Sequence, residues 1–249
     1  MSGAPLAHAT AAVVGSPNGL VRACVADLAA RGADVLAVIG PGDDPADVAG
    51  ARAVAHLADD DLDAMQRLAS SLADGWPPVR VLVNGHMGIE ATSIEASTLS
   101  GWERVLRTNI LGPIVATKAF LPALRRAGGG AIVHVGSVDG IQGNPAFPSY
   151  SASKGALIPL THVMADELAP FAIRVNCVAR AAIAEPGAGP LPGRLLDETP
   201  LGRAADAAEV ASVIGFLVSA ESSYMTGSVV VVDGGRTGIT PGTRAMVER

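Results

Sequence analysis

Gly130-Ala-Ile-Val-His-Val-Gly-Ser137, then Tyr150-Ser-Ala-Ser-Lys154-Gly-Ala-Leu157, then Ile173-Arg-Val-Asn-Cys-Val178 is the stretch on which the fold turns. Ala131–Val135 and Ile173–Val178 are short aliphatic runs without polar alternation, and Tyr150–Ala169 between them is a long amphipathic stretch. A strand buried on both faces, a helix and a second such strand make the repeating unit of a parallel sheet covered on both sides. The unit recurs outward in both directions. Ala11–Val14, Asp34–Ile39, Val79–Val83 and Ser228–Val232 read as further strands, and Leu20–Arg31, Asp60–Ala73, Trp102–Arg126 and Ala207–Val218 as helices. The expected class is α/β: one doubly wound domain over residues 1–249, with a central parallel sheet of about seven strands. Residues 1–9 and 236–249 flank it. No repeat and no long linker divides the chain. Ser100-Gly-Trp-Glu103 reads as a capping box opening the Trp102 helix. Pro159 has no N–H for the Gly155 carbonyl, which predicts a bend one turn after Lys154.

Composition narrows the function. The chain has 249 residues, 49% of them hydrophobic and only 3% aromatic, which suits a core of Val, Ala, Leu and Ile. A net charge of −6, with no basic cluster, provides no electrostatic footing for nucleic acid or an anionic membrane surface. Two cysteines, Cys24 and Cys177, are too few for a disulfide scaffold and sit in apolar runs, as small buried hydrophobes do. No apolar run reaches the ~20 residues that span a bilayer, and the N-terminus lacks a signal-peptide pattern. The expectation is a soluble cytoplasmic protein acting on a small molecule.

Tyr150 and Lys154 are four residues apart, one helical turn on the same face. An ammonium beside a phenol favours the phenolate, so the pair can exchange a proton with a substrate oxygen. A hydroxyl such as Ser137 could hold that oxygen. His56, His86 and Glu185 show no zinc-like spacing, and no metal site is expected.

Read in order, these segments resemble the short-chain dehydrogenase/reductase family from about Ala11 to Gly235. Gly130–Ser137 is similar to the family's strand ending in the catalytic serine, Asn109-Ile-Leu-Gly to its structural-catalytic asparagine, and Tyr150–Lys154 to its active-site helix. Ile173-Arg-Val-Asn176, Pro200-Leu-Gly-Arg203, Met225-Thr-Gly227 and Val232-Asp-Gly-Gly235 are similar to its closing segments. The resemblance implies a Rossmann-like fold and an oxidoreductase that interconverts a secondary alcohol and a ketone with NAD or NADP. It assigns Tyr150 as general acid/base and Lys154 as the cation that assists it and contacts the ribose. Ser137 would orient the carbonyl, and Asn109 would support a proton relay to Lys154. Gly15, Asn18, Gly19, Leu20 and Asn84 would hold the cofactor with Tyr150 and Lys154. A homotetramer or homodimer and a substrate lid over 182–200 are also implied.

The cofactor half departs from the family pattern. Val14-Gly15-Ser-Pro-Asn-Gly19-Leu-Val21 lies where the family has Thr-Gly-x-x-x-Gly-x-Gly, so Thr is replaced by Val14 and the last Gly by Val21. Val21 is expected to narrow the turn that approaches the pyrophosphate. Ile39-Gly40-Pro41 ends the second strand without the usual acid or base, and Asp43 and Asp44 follow a few residues later. His56-Leu57 replaces the adenine-side acid, and Asn84-Gly85-His86-Met87-Gly88 replaces Asn-Asn-Ala-Gly. Arg180-Ala181 and Glu185 replace the Pro-Gly and Thr of the nicotinamide end. Weak and poorly discriminating nucleotide binding follows. Two rivals remain at this level: a non-redox lyase, isomerase or cyclase using the Tyr150–Lys154 pair without NAD(P), and a non-catalytic nucleotide sensor.

Overall fold

The computed structural model describes residues 5–184 and 193–239; Glu185, the 185–192 part of the expected lid, and the 1–4 and 240–249 ends lie outside the described residues. Strands β1 (Thr10–Val14), β2 (Asp34–Ile39), β3 (Ala53–His56), β4 (Val79–Asn84), β5 (Gly130–Ser137), β6 (Ile173–Arg180) and β7 (Val229–Val232) form one parallel sheet. Their order is β3-β2-β1-β4-β5-β6-β7. The chain winds from β1 to one edge, then returns to place β4 on the other side of β1. Connections diverge at that reversal and leave a crevice at the carboxyl ends of the strands. Strand β3 has no strongly aliphatic run to announce it, because an edge strand needs less burial: all four of its residues are partly or fully exposed.

The helices are α1 (Gly19–Ala30), α2 (Leu62–Ser71), α3 (Leu99–Leu106), α4 (Gly112–Arg126), α5 (Asp139–Gln142), α6 (Pro148–Leu168), α7 (Gly193–Asp197) and α8 (Ala207–Val218). Successive strand side chains point to opposite faces, which sorts the core into two layers. Ala11, Val13, Val35, Ala37, Val81, Val83, Ala131 and Val133 pack with Val25 and Leu28 of α1 and Val210 and Ile214 of α8. Ala12, Val14, Leu36, Val38, Leu82 and Ile132 pack with Met65 of α2, Phe120 and Leu124 of α4, and Ala165 of α6. Both faces are therefore covered, which is why the strands read as unbroken aliphatic runs. Among the described residues no helix is long and apolar enough to cross a membrane, and no group of three His, Cys, Asp or Glu side chains could hold a metal ion.

Local readings need two corrections. The helix expected from Trp102 begins at Leu99, and its cap is Thr98, whose hydroxyl accepts from the Gly101 N–H at 3.1 Å; Ser100 is already inside the first turn. The expected single helix to Arg126 is interrupted by a π-turn over Arg107–Leu111 that carries Asn109. One extra residue in a helical turn re-aims the side chains that follow it, a device often found at functional sites. α6 opens at Phe147–Pro148, with proline in the first turn where its missing N–H costs nothing. It runs unbroken across Pro159 to Leu168.

Candidate active site

The parallel sheet brings the ends of β1, β2, β4, β5 and β6 to one edge, and α6 crosses behind it. Tyr150 and Lys154 of α6 are each 2% exposed. The Lys154 ammonium donates to the carbonyls of His86 (2.7 Å) and Val135 (2.8 Å), tying the loops after β4 and the end of β5 to α6. It lies 5.9 Å from the centre of the Tyr150 ring. Burial, reinforced by the nearby Arg180 charge, pushes the Lys154 amine down to about 7. Ser137 ends β5, and its hydroxyl accepts from the Asp139 N–H at 3.1 Å. α5 can press against α6 at this level only because residue 140 is glycine: a Cβ there would sit 2.6 Å from the Gly155 nitrogen.

Asn109 is fully buried in the π-turn. Its amide oxygen accepts from the Gly88 N–H at 2.6 Å, and its nitrogen donates to the Gly88 carbonyl (2.7 Å) and to the Ser153 hydroxyl (2.8 Å). Ser153 in turn donates to the Tyr150 carbonyl at 2.7 Å. The asparagine thus clamps the loop after β4 to the helix carrying the tyrosine. These contacts link Asn109 to the α6 turn that carries Tyr150 and Lys154, and Lys154 reaches the Val135 carbonyl two residues before Ser137 on β5.

The crevice between β1 and β4 is lined by Asn18, Leu20, Gly85, Met87, Ile89, Val135, Lys154, Arg180 and Ile183, around a cavity of about 190 Å³. Gly15, just after β1, has φ +142°, a conformation that disfavours side chains, and a Cβ there would fall 2.6 Å from the carbonyl carbon of Gly85, which lines the crevice. Asn18 caps α1: its side-chain oxygen accepts from the N–H groups of Leu20 (3.0 Å) and Val21 (3.1 Å). This glycine cradle, with a helix N-terminus facing it, fits a nucleotide phosphate.

Two cofactor-side expectations are corrected. Val21 does not narrow the turn; it is 2% exposed and belongs to the core between α1 and the sheet. A Cβ on residue 85 would meet Val21 Cγ2 at 2.8 Å, so the valine at 21 is accommodated by the glycine at 85. Asn84 lies in the right place, but its side chain is 1% exposed and is taken up by Thr117 of α4 (3.3 Å) and by the His134 ring of β5 (3.1 Å). At the end of β2, the Asp43 carboxylate folds back to accept from the Gly40 N–H at 2.8 Å, and the Asp43 carbonyl meets the His56 ring at 3.1 Å. An acid therefore stands beside the strand end, although not at the position where the family pattern puts it.

His86 is fully buried beneath Lys154, its ring fitted against residue 112, where a Cβ would lie 2.5 Å from His86 Cδ2. Its Nε2 is 3.6 Å from Asp59 Oδ1, a spacing that suggests an ion pair. Burial, the Lys154 charge and His134 push the imidazole down to about 3, and burial lifts Asp59 to about 6. A neutral imidazole therefore faces a carboxylate at neutral pH, with no salt bridge between them.

A second cavity of about 560 Å³ opens beside Ser137 and is lined by Ile89, Phe147, Ile183 and Leu195 among others. Leu195 and Glu198 come from the segment expected to close over substrate, whose described parts wall this cavity. Arg180, at the end of β6, lines both cavities. Its Nη1 donates to the Ala181 carbonyl (3.1 Å), and its Nη2 to Met87 Sδ (3.0 Å) and to the Tyr150 hydroxyl (3.4 Å). In the sequence Arg180 stands out only as a departure from the family pattern; its reach to the phenol depends on how β6 ends, which no local signal encodes.

Comparison with known proteins agrees with this arrangement. Residues 14–237 match the sequence profile of the family described as enoyl-(acyl carrier protein) reductase. A 3-alpha-(or 20-beta)-hydroxysteroid dehydrogenase of Mycobacterium tuberculosis is 37% identical over 63% of this chain, a match that spans 60% of that protein's own length. A 3-oxoacyl-(acyl-carrier-protein) reductase of Thermotoga maritima is 37% identical over 70% of this chain and 73% of its own. A galactitol 2-dehydrogenase (L-tagatose-forming) of Cereibacter sphaeroides is 35% identical over 92% of this chain and 95% of its own.

Proposed function

The chain belongs to the short-chain dehydrogenase/reductase family, and from that premise we propose that it interconverts a secondary alcohol and a ketone with a nicotinamide cofactor, Tyr150 serving as general acid/base. The observation that carries the reading is the burial of Tyr150 and Lys154 one helical turn apart, with Lys154 lining the glycine-bounded crevice and the Tyr150 hydroxyl meeting Arg180, which lines both that crevice and the cavity beside Ser137. The cofactor, when bound, supplies or accepts the hydride, which no side chain can do. Gly15 just after β1, with Gly19 and Leu20 at the start of α1, would hold its phosphates, and Lys154 its ribose. The Ser137 hydroxyl orients the substrate oxygen, and the Tyr150 phenol gives that oxygen a proton in reduction and takes it back in oxidation. Asn109 positions Tyr150 by fixing the loop after β4 against α6. Asp43 and Asp44 follow β2, but the Asp43 carboxylate accepts from the Gly40 N–H and the Asp44 carboxylate from the Ala46 N–H, so the reading keeps NAD and NADP poorly discriminated. Homo-oligomerisation is part of the same reading.

Tyr150→Phe tests it. The ring and its packing remain and only the phenolic oxygen is lost, so turnover of ketones with NADH should fall at least ~100-fold, the lower end of what a positioned acid/base contributes. Retention of most of the wild-type rate, with an unchanged circular dichroism spectrum, sinks the assignment. The Met87–Arg180 contact across the inner crevice favours a second reading, a non-redox enzyme using the same proton-transfer pair. Calorimetric titration separates the two, since that reading requires neither NADH nor NADPH to bind at millimolar concentration.

A further inference from the structure

The Arg180 guanidinium stands at the reacting centre, yet the proposed reaction gives it no task. Its three acceptors are a backbone carbonyl, a thioether sulfur and a phenol at 3.4 Å. Sulfur accepts hydrogen bonds weakly, and a 3.4 Å contact lies at the long end of the useful range. Among the described residues, no carboxylate lies within ion-pair distance of it. The acids sharing the larger cavity are already engaged: Asp139 accepts from the Asn144 amide at 3.2 Å, and Glu198 sits 3.6 Å from Arg236. A partly buried guanidinium, facing a cavity of largely apolar side chains without an anionic partner, suits a planar two-oxygen anion. Arginine matches carboxylate geometry with two parallel N–H donors, which a lysine cannot do.

We propose that Arg180 determines specificity for an acidic substrate, an oxo acid or hydroxy acid whose carboxylate lies one or two carbons from the reacting carbon. The proposal rests on the reading that Tyr150 protonates the substrate oxygen. With Nη2 3.4 Å from the Tyr150 hydroxyl, a carbonyl oxygen bonded to the phenol lies within reach of the guanidinium. In a 2-oxo acid the carbonyl and nearer carboxylate oxygens are about one hydrogen-bond length apart, so one arginine spans both. A 3-oxo acid folds to the same arrangement, whereas a carboxylate farther along the chain must immobilise more rotatable bonds to meet both groups and is disfavoured. In reduction, the carbonyl carbon receives the hydride from NAD(P)H, its oxygen takes the Tyr150 proton, and the carboxylate is unchanged. Arg180 also lines the inner crevice together with Asn18 and Leu20, so a cofactor phosphate is the rival anion, and the two are told apart by whether Arg180→Gln loses acid preference or nucleotide affinity.

The test compares 2-oxobutanoate with its methyl ester, and 3-oxobutanoate with its methyl ester, on wild type, Arg180→Gln and Arg180→Lys. Activity is followed with NADH and NADPH, and binding of each acid and each nucleotide by calorimetry. Wild type should prefer one of the acids over its ester in kcat/KM, and Arg180→Gln should reduce that ratio about ten- to a hundredfold, mainly through KM. Arg180→Lys, which keeps the charge without the fork, should retain an intermediate preference. Absence of any acid preference in wild type overturns the proposal while leaving the oxidoreductase reading intact. An equal loss on acid and ester, or a loss confined to nucleotide affinity, overturns it as well. If nothing is turned over but an acid binds wild type and not Arg180→Gln, the oxidoreductase reading fails and the anion site stands. Acid binding that ignores the substitution refutes the site.

Discussion

Replacing Lys154 with methionine should make the protein more stable at neutral pH and catalytically inert. Burial, with the Arg180 charge beside it, brings the ammonium from its ordinary 10.5 to about 7 in the native state. Because the native value lies below the unfolded one, the unfolded chain binds the extra proton between about 7 and 10.5, so stability rises with pH across that interval. Below pH 7 the whole penalty applies, about 5 kcal/mol at ~1.4 kcal/mol per pH unit. Losing the ammonium's two hydrogen bonds opposes this. The carbonyls of His86 and Val135 would be left without that donor, at about 1–2 kcal/mol each. Methionine fills a similar unbranched volume, so Lys154→Met should gain about 1–3 kcal/mol at pH 6.5 and lose the advantage near pH 9. Urea unfolding of both proteins at pH 6.5, 7.5 and 8.5 reads the difference. The Cys177 thiol, lifted by burial to about 11, works in the opposite direction only above its ordinary 9.0, outside this range. A methionine variant less stable than wild type at pH 6.5, or a difference that does not change with pH, would refute the argument.

Gly85→Ala should destabilise the fold by about 1–3 kcal/mol, because its Cβ would lie 2.8 Å from Val21 Cγ2 and 3.4 Å from the Val14 carbonyl oxygen. Val21→Ala in the same chain should recover most of that loss, and a double-mutant cycle with no coupling would contradict the packing described. Acidification should weaken the protein between pH 6 and 4.5. Burial holds His86 at about 3 and His134 at about 4, so the unfolded chain takes up both protons first; Asp59, held at about 6, opposes one of them. The net fall expected is about 1.4 kcal/mol per pH unit, and unfolding midpoints that rise on acidification would contradict it. Tyr150→Phe and the Arg180 variants complete the set.

What the sequence made legible was whatever depends on one element at a time. The aliphatic runs gave away six of the strands because both faces of the sheet are covered, and the Tyr150–Lys154 spacing survives on any helix that contains it. β3 was missed as a run because an edge strand does not need a buried pattern, and the π-turn was missed because Arg107–Leu111 differs from ordinary helix only in which carbonyl each N–H meets. The larger error came from judging substitutions one at a time. Val21 looks like an obstruction until Gly85, more than sixty residues away, is seen to give up the space it needs. His86 looks like a stray loop residue until Gly112 leaves room for its ring. Such exchanges conserve volume across a contact and not along the chain, so the periodicity of any single segment is blind to them. Arg180 follows a different logic. No described residue forms an ion pair with it, its partners at hydrogen-bond distance are a carbonyl, a thioether and a phenol, and in the proposed reaction it stands beside the oxygen that Tyr150 protonates. A packing compensation would have ended in a filled core; this substitution ends in a cation facing a cavity, and that is why it is read as chemistry while Val21 is read as packing.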